Sequence, residues 1–286
     1  MRQSGARRRR RAVLVSSLCV IASVSPTLRA QVVAKNPRDT THAQHQAPFF
    51  VEKDAYLAAG FIAGTMFMIP LDRQIAIALR DSATQANRFF KHASTGVEAI
   101  ASPGAFYIGG TMWLVGRLTK QDKLADLGWH GTEAVLFAQG ITGVVKRIAG
   151  RARPFLSEGR DPDDFAFGRG FKSGDWTSFP SAHTSTAFAA AAAVANETSR
   201  WWPKSTWVVG PLMYAGATAV GLSRMYHSRH WGSDVVLGAA IGTFSGRKLV
   251  QYAHGHPNNL IDRIMIGTKV KPDPNGGVRV GYYIER

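Results

Sequence analysis

From Asp54 to about Tyr252 the chain is a succession of apolar segments rich in alanine and glycine, and this pattern restricts the fold most. The segments run over residues 55–71, 104–118, 132–145, 184–195, 205–222 and 235–244, with an amphipathic stretch at 73–90 between the first two. Alanine loses no side-chain freedom in a helix, and the segments are longer than ordinary strands, so six long helices are predicted. Pro103, Pro203 and Gly246 fall at or near boundaries, where helices start or stop. The period then changes: Val278, Val280, Tyr282 and Ile284 alternate with Arg279, Gly281, Tyr283 and Glu285. With residues 265–270 as a shorter partner and Asn275-Gly276-Gly277 as turn residues, a C-terminal β-hairpin is predicted. The fold class is therefore all-α with a short terminal hairpin.

Crossing a membrane takes about 20 apolar residues. Between flanking charges, Asp54 to Asp72 leaves 17 positions, Glu133 to Lys146 leaves 12, and Asp234 to Arg247 leaves 12. Lys204 to Arg224 leaves 19, interrupted by Pro211. With a mean hydropathy of −0.09, the pattern favours a soluble or membrane-apposed helical domain.

The formal charge of +16 is concentrated at the N-terminus. Seven arginines lie in the first 30 residues, leaving 28 basic against 19 acidic residues from Gln31 onward. A run of five arginines precedes an apolar stretch at 12–24, and small or polar residues follow to Ala30, the three-part layout of a secretory signal peptide. Arg10-Arg11 also fits a twin-arginine export signal, and an uncleaved anchor is the alternative. The expected organisation is a signal peptide at 1–30, a polar linker at 31–52, a helical domain at 53–252 and a tail at 253–286. The only cysteine, Cys19, falls in the signal segment, so disulfides, thiolate catalysis and cysteine-ligated zinc are excluded from the mature chain.

Three polar clusters interrupt the apolar background. The first is Lys146, six residues, then Arg153-Pro154, with Arg147 and Arg151 nearby; the second is Ser178-Phe179-Pro180-Ser181-Ala182-His183. The third is Ser223-Arg224, five residues, His230, three residues, Asp234. Singly, each has a plain structural reading: a solvated basic helix end, a helix start capped by Ser181, and a His–Asp pair. Together they do not. Helices alternating up and down put the connection after Lys146 and the connection after Arg224 at one end of the bundle. Cations and hydroxyls around a helix start form an anion site, and a planar guanidinium suits a tetrahedral oxyanion such as phosphate.

His230 and Asp234, four apart, face the same way on a helix. A carboxylate bonding one ring nitrogen leaves the other nitrogen free to attack, and His183 from another helix can protonate the departing oxygen. Lys146, Arg153 and Arg224 stabilise charge on the transferring phosphoryl.

These residues resemble the signature of the type 2 phosphatidic-acid phosphatase and vanadium haloperoxidase superfamily: Lys-x6-Arg-Pro, Pro-Ser-Gly-His, and Ser-Arg-x5-His-x3-Asp. The motifs span Lys146 to Asp234, and the helical pattern matches over about 54–252. The resemblance implies a six-helix core bundle, phosphate held by Lys146, Arg153, Ser181, Ala182 and Arg224, and a phosphohistidine on His230 oriented by Asp234, with His183 as general acid. It also implies a metal-independent phosphatase without cofactor; Asp161, Asp163 and Asp164 read as a solvated loop rather than a calcium site. Ala182 stands where the family has glycine, and alanine resists positive φ.

The alternatives are a vanadium-dependent haloperoxidase, a lipid phosphotransferase, and a non-catalytic envelope protein that binds lipid phosphate. The expected partner is a phosphorylated small molecule or a lipid phosphate, at a membrane surface outside the cytoplasm; nucleic acid is not expected. The loop at 155–177, with Phe165, Phe167, Phe171 and Trp176 among glycines, is placed over the entrance.

Overall fold

The computed structural model describes residues 50–256, 259–266, 268–272 and 278–282. The signal segment, nearly all of the linker and the hairpin turn lie outside the described residues.

The fold is helical. The first apolar segment forms α1 (Glu52–Met68), which passes through a 3-10 turn into α2 (Asp72–Arg80). The amphipathic stretch at 73–90 is not one helix. Asp81 leaves helical geometry at ψ 140° and its side chain caps the short α3 (Ser82–Ala86), after which α4 (Arg88–Ala99) begins. A π turn at Ile100–Gly104 leads into α5 (Ala105–Thr119). The long helices α6 (Asp122–Ala149), α7 (Ala182–Trp201), α8 (Val209–Tyr226) and α9 (Gly232–Gly255) follow, then α10 (Leu260–Met265). Strands β1 (Thr268–Pro272) and β2 (Val278–Tyr282) pair antiparallel, Val270 opposite Val280.

Helix α7 is central and packs on α6, α8 and α9. Its alanine run decides how closely: Ala189, Ala191, Ala192 and Ala193 are fully buried, and the core joins Ala189 and Ala193 to Ala134, Val135, Ala138 and Val250. The facing stripe of α9 is Gly238, Gly242 and Gly246, four residues apart and so on one face. A Cβ at these positions would stand 2.6, 2.3 and 2.3 Å from the backbone oxygens of Ser181, Ser185 and Ala189. Gly246 therefore lies inside a helix that continues to Gly255, contrary to its reading as a boundary: it is a contact glycine. This close packing fixes the starts of α7 and α9 side by side, with Ser181 N donating to Asp234 O at 3.0 Å.

Helix α1 lies along α9 and is pinned by charge at both ends. Asp54 pairs with Lys248, and Asp72, just beyond the 3-10 turn, accepts from Ser233 N at 2.8 Å. Residues 52–80 are long and apolar enough to cross a membrane by length and composition. Several outward faces are also apolar: Ile62, Met66 and Phe67 on α1, Leu136, Phe137, Ile141 and Val144 on α6, and Leu212 on α8 are all exposed.

Candidate active site

The connections after α6 and α8 meet the start of α7 at one end of the bundle. Helix α6 stops at Gly150, whose φ is +59° and where a Cβ would lie 1.9 Å from Ala166 O, so only glycine is accommodated. The chain beyond it is tied into the following loop: Ala152 N donates to Asp164 O at 2.9 Å, Arg153 N to Asp175 O at 3.1 Å and Ser178 N to Arg151 O at 3.0 Å. Ser181 then caps α7, its Oγ accepting from Thr184 N at 3.4 Å and from Thr184 Oγ1 at 2.9 Å.

His230 is 3% exposed. Its Nδ1 lies 2.7 Å from the carbonyl oxygen of Ser178. A carbonyl only accepts, so Nδ1 carries the proton and the lone pair is on Nε2. The direct hydrogen bond expected from Asp234 is not made: Asp234 Oδ2 stands 3.7 Å from Nδ1. That carboxylate is occupied elsewhere. Oδ2 accepts from Ser178 Oγ at 2.5 Å and from Trp231 N at 2.7 Å, and Oδ1 accepts from Arg151 Nη1 at 2.6 Å. Asp234 thus caps α9 and holds Ser178, and the Ser178 carbonyl holds the histidine. Burial pushes the Asp234 carboxyl up, but Arg151, His230 and Ser178 outweigh it and hold it below its ordinary value.

Two residues behind this arrangement were not assigned roles from the sequence. Arg151, 1% exposed, joins Asp234 to Asp72, donating from Nη2 to Asp72 Oδ2 at 2.8 Å. Its guanidinium lies 5.1, 5.8 and 5.4 Å from the ring centres of Phe165, Phe179 and Trp231. Ser233 Oγ completes the network, donating to Asp72 Oδ2 at 2.5 Å. A planar, permanently charged group surrounded by aromatic faces suits such a buried junction.

The cations of the pocket are short of anions. Arg153 Nη2 donates to Thr177 Oγ1 at 3.2 Å, but Nε of Arg153 and Nε of Arg224 are buried without a hydrogen-bond partner among the described residues. Burial, then Arg153 and Arg147, lowers Lys146 to about 8. Burial, then Arg224, His230, Lys146 and Arg153, lowers His183 to about 3. Burial also brings His230 down to about 4, against the pull of Asp234. Mutual repulsion of this kind means that charged groups of all three motifs lie close enough to act on one another, and the unpartnered buried N–H groups suit an anion.

Arg224 pairs with Glu98 on α4, at 2.7 Å from Nη1 to Oε2. Glu98 was also missed, since a lone carboxylate in an amphipathic helix carries no local signature. Ala182 occupies the first turn of α7 and is not among the residues with positive φ, so the substitution for glycine strains nothing in the backbone. In the loop at 155–177, Phe167 is 87% exposed and Phe171 66%, while Trp176 stacks under Arg169, whose guanidinium is 3.9 Å from the ring centre.

A family model described as the PAP2 superfamily matches residues 128–256, which include all three motifs. Over 71 residues it is 44% identical to a lipid A 1-phosphatase of Porphyromonas gingivalis, a match covering 24% of this chain and 15% of that protein. A solved structure described as the first transmembrane PAP2 type phosphatidylglycerolphosphate phosphatase from Bacillus subtilis aligns at 17% identity and a TM-score of 0.34. That alignment covers 73% of this chain and 99% of the other.

Proposed function

We propose that the protein is a metal-independent lipid phosphate phosphatase that works through a phosphohistidine on His230. The observation that carries this reading is the pair of guanidinium N–H groups of Arg153 and Arg224, buried without acceptors among the described residues, together with a histidine whose Nδ1 proton leaves the lone pair on Nε2. Nε2 attacks phosphorus, the bond from phosphorus to the leaving oxygen breaks, and His183 gives its proton to that oxygen. Neutral His183 then takes a proton from the water that attacks the P–N bond, releasing phosphate and restoring His230. Lys146, Arg153, Arg224, Ser181 and the first N–H groups of α7 hold the non-bridging oxygens. Burial and then the surrounding cations lower His183; the substrate's negative charge offsets the cations and so favours the protonated acid.

A lipid substrate is supported by an apolar cavity of about 280 Å³ between α4, α5, α6, α7 and α8. Val97, Ile108, Met112, Ala187, Leu212 and Val220 line it. Val220 lies one turn before Arg224, Ala187 one turn after His183, and Val97 beside Glu98, so a chain leaving the phosphate pocket can enter apolar surroundings. The exposed apolar faces of α1, α6 and α8 fit apposition to a bilayer, and the arginine-led N-terminus fits export, which puts the site outside the cytoplasm. The discriminating experiment compares kcat/KM for a dispersed lipid phosphate and a soluble phosphomonoester. Leu212→Glu, a charge placed at the cavity, is expected to lower only the lipid value; equal losses for both substrates would rule out the cavity as an acyl site.

A further inference from the structure

At the end of the bundle away from the phosphate pocket, α6, α7 and α9 bring together His130, Glu197 and His254. His130 precedes Lys146 by 16 residues on α6 and Glu197 follows His183 by 14 on α7. At 1.5 Å per residue these offsets are roughly 24 and 21 Å, so the cluster is separate from the reaction centre.

Its geometry is that of a small ligand cage. His130 Nδ1 is 2.5 Å from Glu197 Oε1, His254 Nε2 is 2.9 Å from both Glu197 oxygens, and one donor atom from each residue lies within 4.8 Å of the others. His130 and Glu197 are buried, while the His254 side chain is 23% exposed and leaves a route in from solvent. The second nitrogen of His130, Nε2, is buried without a hydrogen bond among the described residues and lies 3.6 Å from Asp262 Oδ2. Asp262 is itself fixed, accepting from Asn259 Nδ2 at 2.6 Å and Trp129 Nε1 at 3.2 Å. A histidine with one nitrogen in a cage and the other facing a held carboxylate is the arrangement that orients imidazole for a metal ion. Asp126 and Glu133, also on α6, add two further carboxylates whose charge acts on this cluster.

We propose that His130, Glu197 and His254 bind a zinc ion that clamps α6, α7 and α9, with Asp262 as the carboxylate behind His130. Two imidazoles and a carboxylate are ordinary zinc ligands, and bond lengths of about 2.0–2.2 Å require only a small opening of the present contacts. The fourth position faces the His254 side and takes water. The ion is structural and has no part in phosphoryl transfer.

The test uses the full chain, stripped with chelator and titrated with Zn2+ by calorimetry and thermal unfolding. The expected result is one equivalent bound and a rise in Tm on Zn2+ addition. Both are lost in His254→Gln, whose affinity falls more than about tenfold. Surface histidines give weak, non-stoichiometric binding that this variant leaves intact. Because a variant can fail to fold, Co2+ is also added to the stripped wild type: a visible spectrum of a four-coordinate site with nitrogen ligands is expected. Absence of stoichiometric binding and of that spectrum, or tight binding unchanged in His254→Gln, would overturn the proposal and leave a buried ion-pair network. Neither readout involves phosphate release, so the outcome is independent of the proposed activity.

Discussion

His230 is held by a backbone oxygen: its Nδ1 donates to the carbonyl of Ser178 at 2.7 Å, while the nearest carboxylate oxygen, on Asp234, stands 3.7 Å away. The histidine's tautomer therefore depends on where the Ser178 backbone sits, and that position depends on Asp234, which binds the Ser178 hydroxyl at 2.5 Å.

Ser178→Ala keeps the carbonyl and removes the hydroxyl. It is expected to cost about 1.5–3 kcal/mol of stability, the usual value for a hydrogen bond to a charged group, and to lower kcat modestly. Asp234→Asn removes the charge that holds Arg151, Ser178 and the start of α9 together, and is expected to lower kcat by at least about 100-fold. Steady-state kinetics on the two variants checks the order; equal losses would mean that the hydroxyl is as important as the carboxylate.

Arg151 ties Asp72 to Asp234 in a fully buried network. Arg151→Met leaves two buried carboxylates without their cation, and the expected loss is about 3–5 kcal/mol in urea unfolding. Added phosphate is not expected to rescue it, because the defect lies behind the pocket. Adding Asp72→Asn to Arg151→Met is expected to recover part of the stability by removing one of the stranded charges.

Acid stability follows from the two histidines. Both resist protonation in the folded protein, His183 to about 3 and His230 to about 4, whereas unfolded histidine takes a proton near 6.5. Below 6.5 the unfolded state binds protons that the folded state refuses, so stability falls as pH drops from about 6.5 towards 4 for His230 and towards 3 for His183. The full effect is about 5 kcal/mol for His183 and about 3 kcal/mol for His230. Phosphate or vanadate in the pocket favours protonated His183, so the anion is expected to stabilise more at pH 5 than at pH 8. Thermal unfolding across that range, with and without the anion, measures it.

Ala182→Gly tests the departure from the family motif. Ala182 has no positive φ and lies in the first helical turn, so glycine gains no needed conformation and loses helix stability, about 0.5–1 kcal/mol. A small fall in Tm and a drop in kcat/KM of less than about tenfold are expected. A rise in kcat/KM would show that the alanine methyl crowds the anion.

The parts legible in the sequence were those carried by local spacing. Lys146 with Arg153, Ser181 with His183, and Arg224 with His230 and Asp234 each lie within a dozen residues, and up-down helix topology gathers the three groups. Asp72 and Glu98 come from α2 and α4 and reach Arg151 and Arg224 only through packing, which leaves no spacing to read. The Ser178 carbonyl was invisible for a different reason, since every residue has one. Gly246 was misread because glycine both ends helices and lets them touch, and only its four-residue spacing from Gly242 and Gly238 points to the second role. The cluster of His130, Glu197 and His254 joins residues separated by 67 and then 57 positions and has no sequence signature.

The central claim is a phosphoryl group carried on His230. The direct measurement is to mix the protein with a lipid phosphate labelled in the phosphate, in the presence of chelator, quench in denaturant, and examine the chain for label, in wild type and His230→Ala. The account predicts label that is acid-labile and alkali-stable on the wild type, none on His230→Ala, and no chelator-resistant phosphate release by the variant. Phosphate release that survives in His230→Ala, or wild-type turnover that never labels the protein, would contradict it.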